Sequence, residues 1–309
     1  MSLIEEPFTV WHIESRAEGM TRMIESSRQR AYRAGAKITR DRMAREAPDH
    51  ARALGAVEAA DIVVVPGSYD HVEQVLDALS LPYTTVAPHA LGGAALRPHQ
   101  LLVVNCPGHI DDAAVATVRE FVAAGGSLFT TDWALANVVE RAFPGVIAYN
   151  QRPTGDDVVR IEVGAHDNPF LDGVMEPGDE PLWWLEGSSY PIRILDPGRV
   201  EVLITSAELG LRYGEAPVAV LFRHGQGDVF HMISHYFLQR TELRGARQQA
   251  PAATYAVAKG VTPTVAMAAD LDGLAAGDVE SAASSTRWLA NVVADKKRRS
   301  MTGAGKDSA

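Results

Sequence analysis

Residues 100–135 read QLLVVNCPGHIDDAAVATVREFVAAGGSLFTTDWAL, and their succession of apolar run, turn, helix and second apolar run decides the fold class. Gln100-Leu-Leu-Val-Val-Asn105 carries only apolar residues between its ends and is too short for a buried helix. It reads as a strand covered on both faces. Cys106-Pro107-Gly108 ends it. Asp111 and Asp112 then stand where a helix dipole favours acids, and that helix closes at Ala123-Ala-Gly-Gly126. Ser127-Leu-Phe-Thr-Thr131 is the next strand, and a helix is expected from Trp133 to Phe143. Upstream, Asp61-Ile-Val-Val-Val-Pro-Gly67, a helical pattern over Asp70–Leu79 and a candidate strand over 82–86 repeat the alternation. Strands of this kind separated by helices imply a mostly parallel sheet in a three-layer α/β sandwich. Such sheets hold ligands at the carboxyl ends of their strands, here Pro66–Asp70, Asn105–His109 and Thr130–Trp133. Gly67, Tyr69, Asn105, Gly108 and Trp133 are therefore the candidate ligand-binding residues of this edge, for a small molecule.

Downstream, the chain turns to strands with short connections. Pro217–Phe222 and Gly227–His235 flank Gly225-Gln-Gly227 and read as a β-hairpin; a dinucleotide fingerprint would need a third glycine and a following helix. His231 and His235 share a face if both lie on this strand, which separates them by roughly 13 Å at ~3.3 Å per residue, too far for one ion. If the strand ends by Ile233, His235 becomes a loop residue at the carboxyl edge, a further candidate for the pocket. Trp183-Trp184-Leu-Glu-Gly-Ser-Ser-Tyr190 joins two indoles to a carboxylate and hydroxyls, a set that could line a carbohydrate-like or nucleobase-like pocket. On a strand the indoles fall on opposite faces, which leaves at most one for a ligand, and core packing is expected of the pair. No His-x-Glu-x-His or cysteine cluster is present, and neither a metal nor a cofactor is expected.

The succession LLVVNCPG, FVAAGG and SLFTTDWAL resembles the class I glutamine amidotransferase-like superfamily, which includes the DJ-1/PfpI-like proteins with a flavodoxin-like fold and many inactive relatives. The likeness covers about residues 60–145. His166-Asp-Asn-Pro-Phe-Leu-Asp-Gly173 and the Pro-Val-Ala…Gly-x-Gly-x-Val hairpin are similar to segments of inactive members. The resemblance implies a nucleophile elbow at Thr131-Asp132-Trp133, where active members carry cysteine. Asp132 stands there instead, and Cys106 belongs to the preceding loop, so the Cys-His-Glu triad does not carry over. A catalytically degenerate member, a pseudoenzyme, is the expectation: a non-catalytic ligand- or protein-binding domain acting as an accessory or assembly component.

Three residues remain candidates for catalysis. Cys106 lies near a helix start, where a thiolate is stabilised, and His109, three residues on, could serve as its base. Asp132 could act as a carboxylate nucleophile in a hydrolase or amidotransferase-like enzyme. As a purely structural residue, Asp132 would cap the following helix, worth ~1 kcal/mol.

Composition bounds the rest. The 309 residues are 46% hydrophobic and 22% charged, with net charge −10 and one cysteine. A disulfide framework is excluded, and the acidic balance argues against nucleic acid or an anionic membrane as partner. No run of ~18 apolar residues is present to span a bilayer, and a cytoplasmic location is expected. Charge is uneven: Arg16–Arg45 carries nine basic and three acidic residues. That +6 stretch leaves −16 for the remainder. It reads as a helix with a thin apolar stripe through Met20, Met23, Ile24, Ala31 and Ile38 and a break at Gly35. Either it packs on the acidic body or it serves self-association or a protein partner through residues 1–57. The expected division is a basic helical arm over 1–57, a core over 58–240 rich in hairpins in its second half, an Ala/Pro/Thr-rich loop or linker over 241–275, a C-terminal helix over 276–297 packed on the core, and a disordered tail over 298–309. Lys296-Lys-Arg-Arg299 is a helix end whose cations the dipole favours.

Overall fold

The computed structural model describes residues 10–165 and 167–304, with side chains described between 27 and 302. Its strands are β1 (Ile62–Val65), β2 (Thr84–Thr85), β3 (Leu101–Val104), β4 (Ser127–Thr131), β5 (Ile147–Tyr149), β6 (Asp157–Arg160), β7 (Glu162–Val163), β8 (Leu182–Leu185), β9 (Ile192–Ile194), β10 (Val200–Thr205), β11 (Pro217–His224) and β12 (Gly227–Met232). The helices are α1 (Val10–Glu46), α2 (Pro48–Gly55), α3 (Val72–Ala78), α4 (Asp112–Ala123), α5 (Glu140–Ala142), α6 (Ala207–Tyr213), α7 (Ala246–Gln249), α8 (Ala252–Ala258), α9 (Val265–Leu271) and α10 (Ala276–Ala304).

Eight strands form one sheet in the order β2-β1-β3-β4-β12-β11-β10-β7. The pairings from β2 to β12 are parallel, and those from β12 to β7 are antiparallel. Helices cover both faces, giving the expected α/β sandwich. The wholly apolar strands β1 and β3 are buried throughout, as are β4 and β12. Two short antiparallel ribbons, β5–β9 and β6–β8, stand beside the main sheet. The hairpin β11–β12 forms as read, and β12 also pairs in parallel with β4, Met232 opposite Thr131. That second pairing carries the end of β12 to the carboxyl edge of the parallel half.

Helix α10 runs through the interior, with Trp288 wholly buried against Phe129 and Tyr236. Helix α1 packs on α10. Gly35 is not a break but the crossing point: a β-carbon there would stand 3.0 Å from the Ala283 nitrogen, so the absence of a side chain allows the two helices to approach. From residue 27 on, the basic segment is part of the body. Ala31, Tyr32, Ile38 and Met43 are buried, whereas the stripe residues Met20, Met23 and Ile24 lie outside the described side chains. Its cations meet acids of the remainder: Arg33 and Lys37 both bind Asp270, and Arg42 reaches Glu176. Residues 27–45 of the basic segment thus pack on the body and pair with its acids.

Other expectations need correction. Residues 241–275 form three short helices (α7–α9) in place of a linker, with Tyr255, Met267 and Leu271 buried. Helix α10 continues to Ala304, through the first part of the expected tail; residues 305–309 lie outside the described residues. The helix expected over Trp133–Phe143 begins with a π-type turn, Leu135–Val139, before α5. The candidate strand 82–86 contracts to Thr84–Thr85. His166 is likewise outside the described residues.

Candidate functional site

Four loops meet where β1, β3, β4 and β12 end. The first two interlock: the Ser68 and Tyr69 amides donate to the Cys106 carbonyl at 3.1 and 3.3 Å. A β-carbon on Gly67 would stand 2.0 Å from that carbonyl oxygen, so glycine is required for the contact. Gly108, at φ +69°, presses on Ala134. These two predicted ligand residues position backbone. Asn105 is buried and donates to Glu73 at 3.0 Å.

Asp132 follows β4 with φ +45°, a left-handed conformation that aspartate tolerates better than most residues. The turn directs its side chain away from the helix start, so the predicted helix cap is not formed. Oδ1 accepts from the Tyr190 amide at 2.9 Å, and Oδ2 accepts from the Ser189 hydroxyl at 3.0 Å. Oδ2 also lies 3.8 Å from Cys106 Sγ and 3.5 Å from His235 Nε2. On the far side of the imidazole, Nδ1 stands 3.6 Å from Glu186 Oε2. Cys106, Asp132 and His235 are each 1% exposed.

The loop carrying His235 is held from below. Buried Asp70 accepts the Tyr236 and Phe237 amides at 3.0 and 3.2 Å. Tyr32 of α1 donates to the Tyr236 carbonyl and accepts from the Leu238 amide. Ser234 donates to the Trp184 carbonyl at 2.7 Å, and the Trp184 ring meets His235 edge-on. Trp183 and Trp184 are core residues on opposite faces of β8, as expected.

Burial pushes the Cys106 thiol well above its ordinary range, and the Asp132 carboxylate adds to the effect. The two members of the Asp132–His235 pair both move up, for different reasons. Burial raises Asp132 against the opposing influence of His235 and its hydrogen-bond donors. Burial lowers His235, but the carboxylates of Asp132, Asp70 and Glu186 outweigh it. His231, within β12, is a neutral core histidine: burial brings it down to about 3, and Nδ1 pairs with the Thr130 hydroxyl at 2.8 Å.

Above the pair, aromatic rings form a row at the surface. Tyr69 is 40% exposed and meets Trp133 at 5.3 Å between centroids; Trp133 stacks on Tyr190 at 5.7 Å, and Tyr190 on Tyr149 at 3.9 Å. The Trp133 indole donates to the Ser188 carbonyl at 2.7 Å.

Of the candidates, Cys106, Asp132 and His235 converge, and Tyr69 and Trp133 stand at the rim. His109 is exposed and lies outside the cluster, so the Cys106–His109 pair is not formed. Sequence reasoning missed Asp70 and Tyr149, and it grouped Glu186, Ser189 and Tyr190 with the tryptophans when Glu186 faces His235 and the other two bind Asp132. A cavity of about 490 Å³ lies elsewhere, against Asp228 at the other end of β12.

No protein-family model matches the chain, and no curated protein matches it. Among solved structures, PurLQS from Thermotoga maritima is similar at 14% identity and a TM-score of 0.46, covering 73% of this chain and 96% of that one. A GMP synthase subunit protein from Thermoplasma acidophilum aligns at 14% identity and 0.43, over 59% of this chain and 86% of that one. The cold-adapted β-galactosidase of Rahnella sp. R3 aligns at 14% identity and 0.39, over 58% of this chain. This chain spans only 29% of the β-galactosidase. At these scores no residue role passes from any of these proteins to this one.

Proposed function

We propose that the protein is a non-catalytic ligand-binding module on an α/β sandwich, holding a small ring-bearing molecule at the carboxyl edge of its sheet and working as an accessory component. The observation that carries this reading is the Tyr69–Trp133–Tyr190–Tyr149 row beside the buried Asp132–His235 pair. Aromatic faces at a surface favour planar or ring-shaped partners, and the polar tips of tyrosine orient them. Neither candidate nucleophile suits attack. The Cys106 thiol is buried and held protonated. The Asp132 oxygens are buried and accept from Tyr190 and Ser189.

One observation favours a second reading, a hydrolase. Asp132, His235 and Glu186 stand in the order nucleophile, base and orienting acid, the arrangement of catalytic triads. There Asp132 would displace a leaving group, which departs with the bonding electrons, from an electrophilic carbon to form an ester. His235 would take a proton from the water that attacks the ester carbonyl, releasing the alcohol and restoring the carboxylate.

A thermal-shift screen of nucleosides, sugars and aromatic acids, run with W133A in parallel, decides between them. Stabilisation of the wild-type chain that W133A loses, with no turnover of glutamine or nitrophenyl esters, is expected. Turnover abolished by D132N would overturn the binding reading in favour of the hydrolase. Absence of any stabilised complex would remove the binding reading outright.

A further inference from the structure

Asp70, Asp132 and Glu186 all act on His235, and among the described residues no lysine or arginine pairs with any of the three. The imidazole therefore stands between two carboxyl groups with no cation beside them. Both ring nitrogens of His235 are buried and lack a hydrogen-bond partner among the described residues. Nε2 is aimed at Asp132 Oδ2, at the outer limit of hydrogen-bond range, and Nδ1 is aimed at Glu186. An unpartnered buried imidazole between carboxylates, with a thiol alongside, is a donor set short of a cation.

We propose that Cys106 Sγ, Asp132 Oδ2 and His235 Nε2 form a binding site for a single zinc ion, with Glu186 orienting the imidazole through Nδ1. One donor atom from each of the three residues lies within 4.8 Å of the other two. Tetrahedral zinc, with bonds of roughly 2.0–2.3 Å, sets its donors about 3.3–3.6 Å apart. The Sγ–Oδ2 and Nε2–Oδ2 separations of 3.8 and 3.5 Å need only small closure; the Sγ–Nε2 pair draws in with the ion. Thiolate, imidazole and carboxylate together suit zinc, whereas magnesium and calcium prefer all-oxygen sites. Glu186 behind the imidazole repeats the carboxylate–histidine–zinc arrangement that fixes the ring and raises its basicity. Asp132 keeps its hydrogen bonds to Tyr190 and Ser189, since each carboxylate oxygen has two lone pairs. On binding, Cys106 releases its proton to solvent and ligates as thiolate. Three protein donors leave a fourth position for water or for a donor atom of a bound molecule.

The site was invisible to spacing rules because its ligands come from three loops that follow β3, β4 and β12. It stands on its own donors and does not require the aromatic row to be occupied. It is incompatible with Asp132 acting as a nucleophile through Oδ2.

The test is metal reconstitution of the full chain, stripped with chelator under reducing conditions and then titrated with zinc or with cobalt as a coloured substitute. One zinc per chain is expected to survive dialysis, and cobalt should develop the near-ultraviolet absorption that marks a thiolate ligand. C106S should abolish that absorption and weaken zinc binding more than a hundredfold, while E186Q should weaken it about 10- to 100-fold with stoichiometry kept. If the wild-type chain, folded by circular dichroism, holds no zinc, or if C106S holds it equally well, the proposal is overturned. Should H235A fail to fold, the near-isosteric C106S and the wild-type cobalt spectrum still decide. Metal content and ring-compound binding are read separately, so either proposal can fail while the other stands.

Discussion

The main-chain amide of Tyr190 donates a 2.9 Å hydrogen bond to Oδ1 of Asp132, joining the turn after β4 to the loop after β8. The Ser189 hydroxyl adds a second link at 3.0 Å. An aspartate at the expected nucleophile position therefore acts as a clasp between two loops that carry the site and its aromatic rim. D132A would leave both donors buried without an acceptor and is expected to cost about 2–4 kcal/mol in urea unfolding. D132N keeps an acceptor for the Tyr190 amide and tolerates the left-handed backbone, so its loss should stay within about 1 kcal/mol. Equal losses for the two variants would show that charge, not the hydrogen bonds, holds the loops.

Gly35 tests how tightly α1 belongs to the body. Alanine raises helix propensity by up to ~1 kcal/mol, but its β-carbon would meet the Ala283 backbone at 3.0 Å. Helix backbone on both sides gives way poorly, and G35A is expected to be net destabilising by about 1 kcal/mol, with G35V at about 2–3 kcal/mol. A higher unfolding midpoint for G35A would show that the crossing has room to relax.

Asp270 receives Arg33 and Lys37 of the basic segment at 2.9 and 2.8 Å. Burial raises its carboxyl, but the two cations outweigh that and hold it below the ordinary range. The folded state therefore releases this proton more readily than the unfolded chain. The contribution is present above the unfolded value near pH 4 and disappears as pH falls through the folded one. With partly exposed partners it amounts to about 0.5–1 kcal/mol. Acid titration of stability should show the wild-type chain losing that advantage over D270N between roughly pH 5 and 2, and 1 M salt should shrink it. Parallel acid profiles would mean that the pair contributes nothing.

Lys296 donates to the Gly125 carbonyl at 2.6 Å from a buried position on α10. Burial and neighbouring Arg299 bring its ammonium down to about 8, against the opposing pull of Asp228 and Asp295. Between about pH 8 and the ordinary lysine value, the unfolded chain holds a proton that the folded chain has released, so stability from this group rises with pH. The stability of the wild-type chain relative to K296M should climb by on the order of 1–3 kcal/mol from pH 8 to 10. A flat difference across that range would place the lysine charge in solvent.

Much of the frame was legible in the sequence by itself, and the reason is local. Continuous apolar runs report strands covered on both faces, glycine and proline mark their ends, and acids followed by glycine bracket α4. Those signals located the sheet, the hairpin β11–β12 and the turn at Asp132 without any long-range knowledge. Gly35 shows where local rules fail, since the same residue that weakens an isolated helix here permits two helices to touch. Tertiary structure alone decided which side chains meet. β12 lies in parallel beside β4, Met232 opposite Thr131, and this direction carries His235 to Asp132 while leaving His109 exposed. Glu186 and Tyr190 arrive from a loop whose strand, β8, belongs to a separate ribbon. Spacing along the chain encodes which face a residue occupies, but strand order and direction in the sheet determine its neighbours, and those are fixed only when the whole core packs.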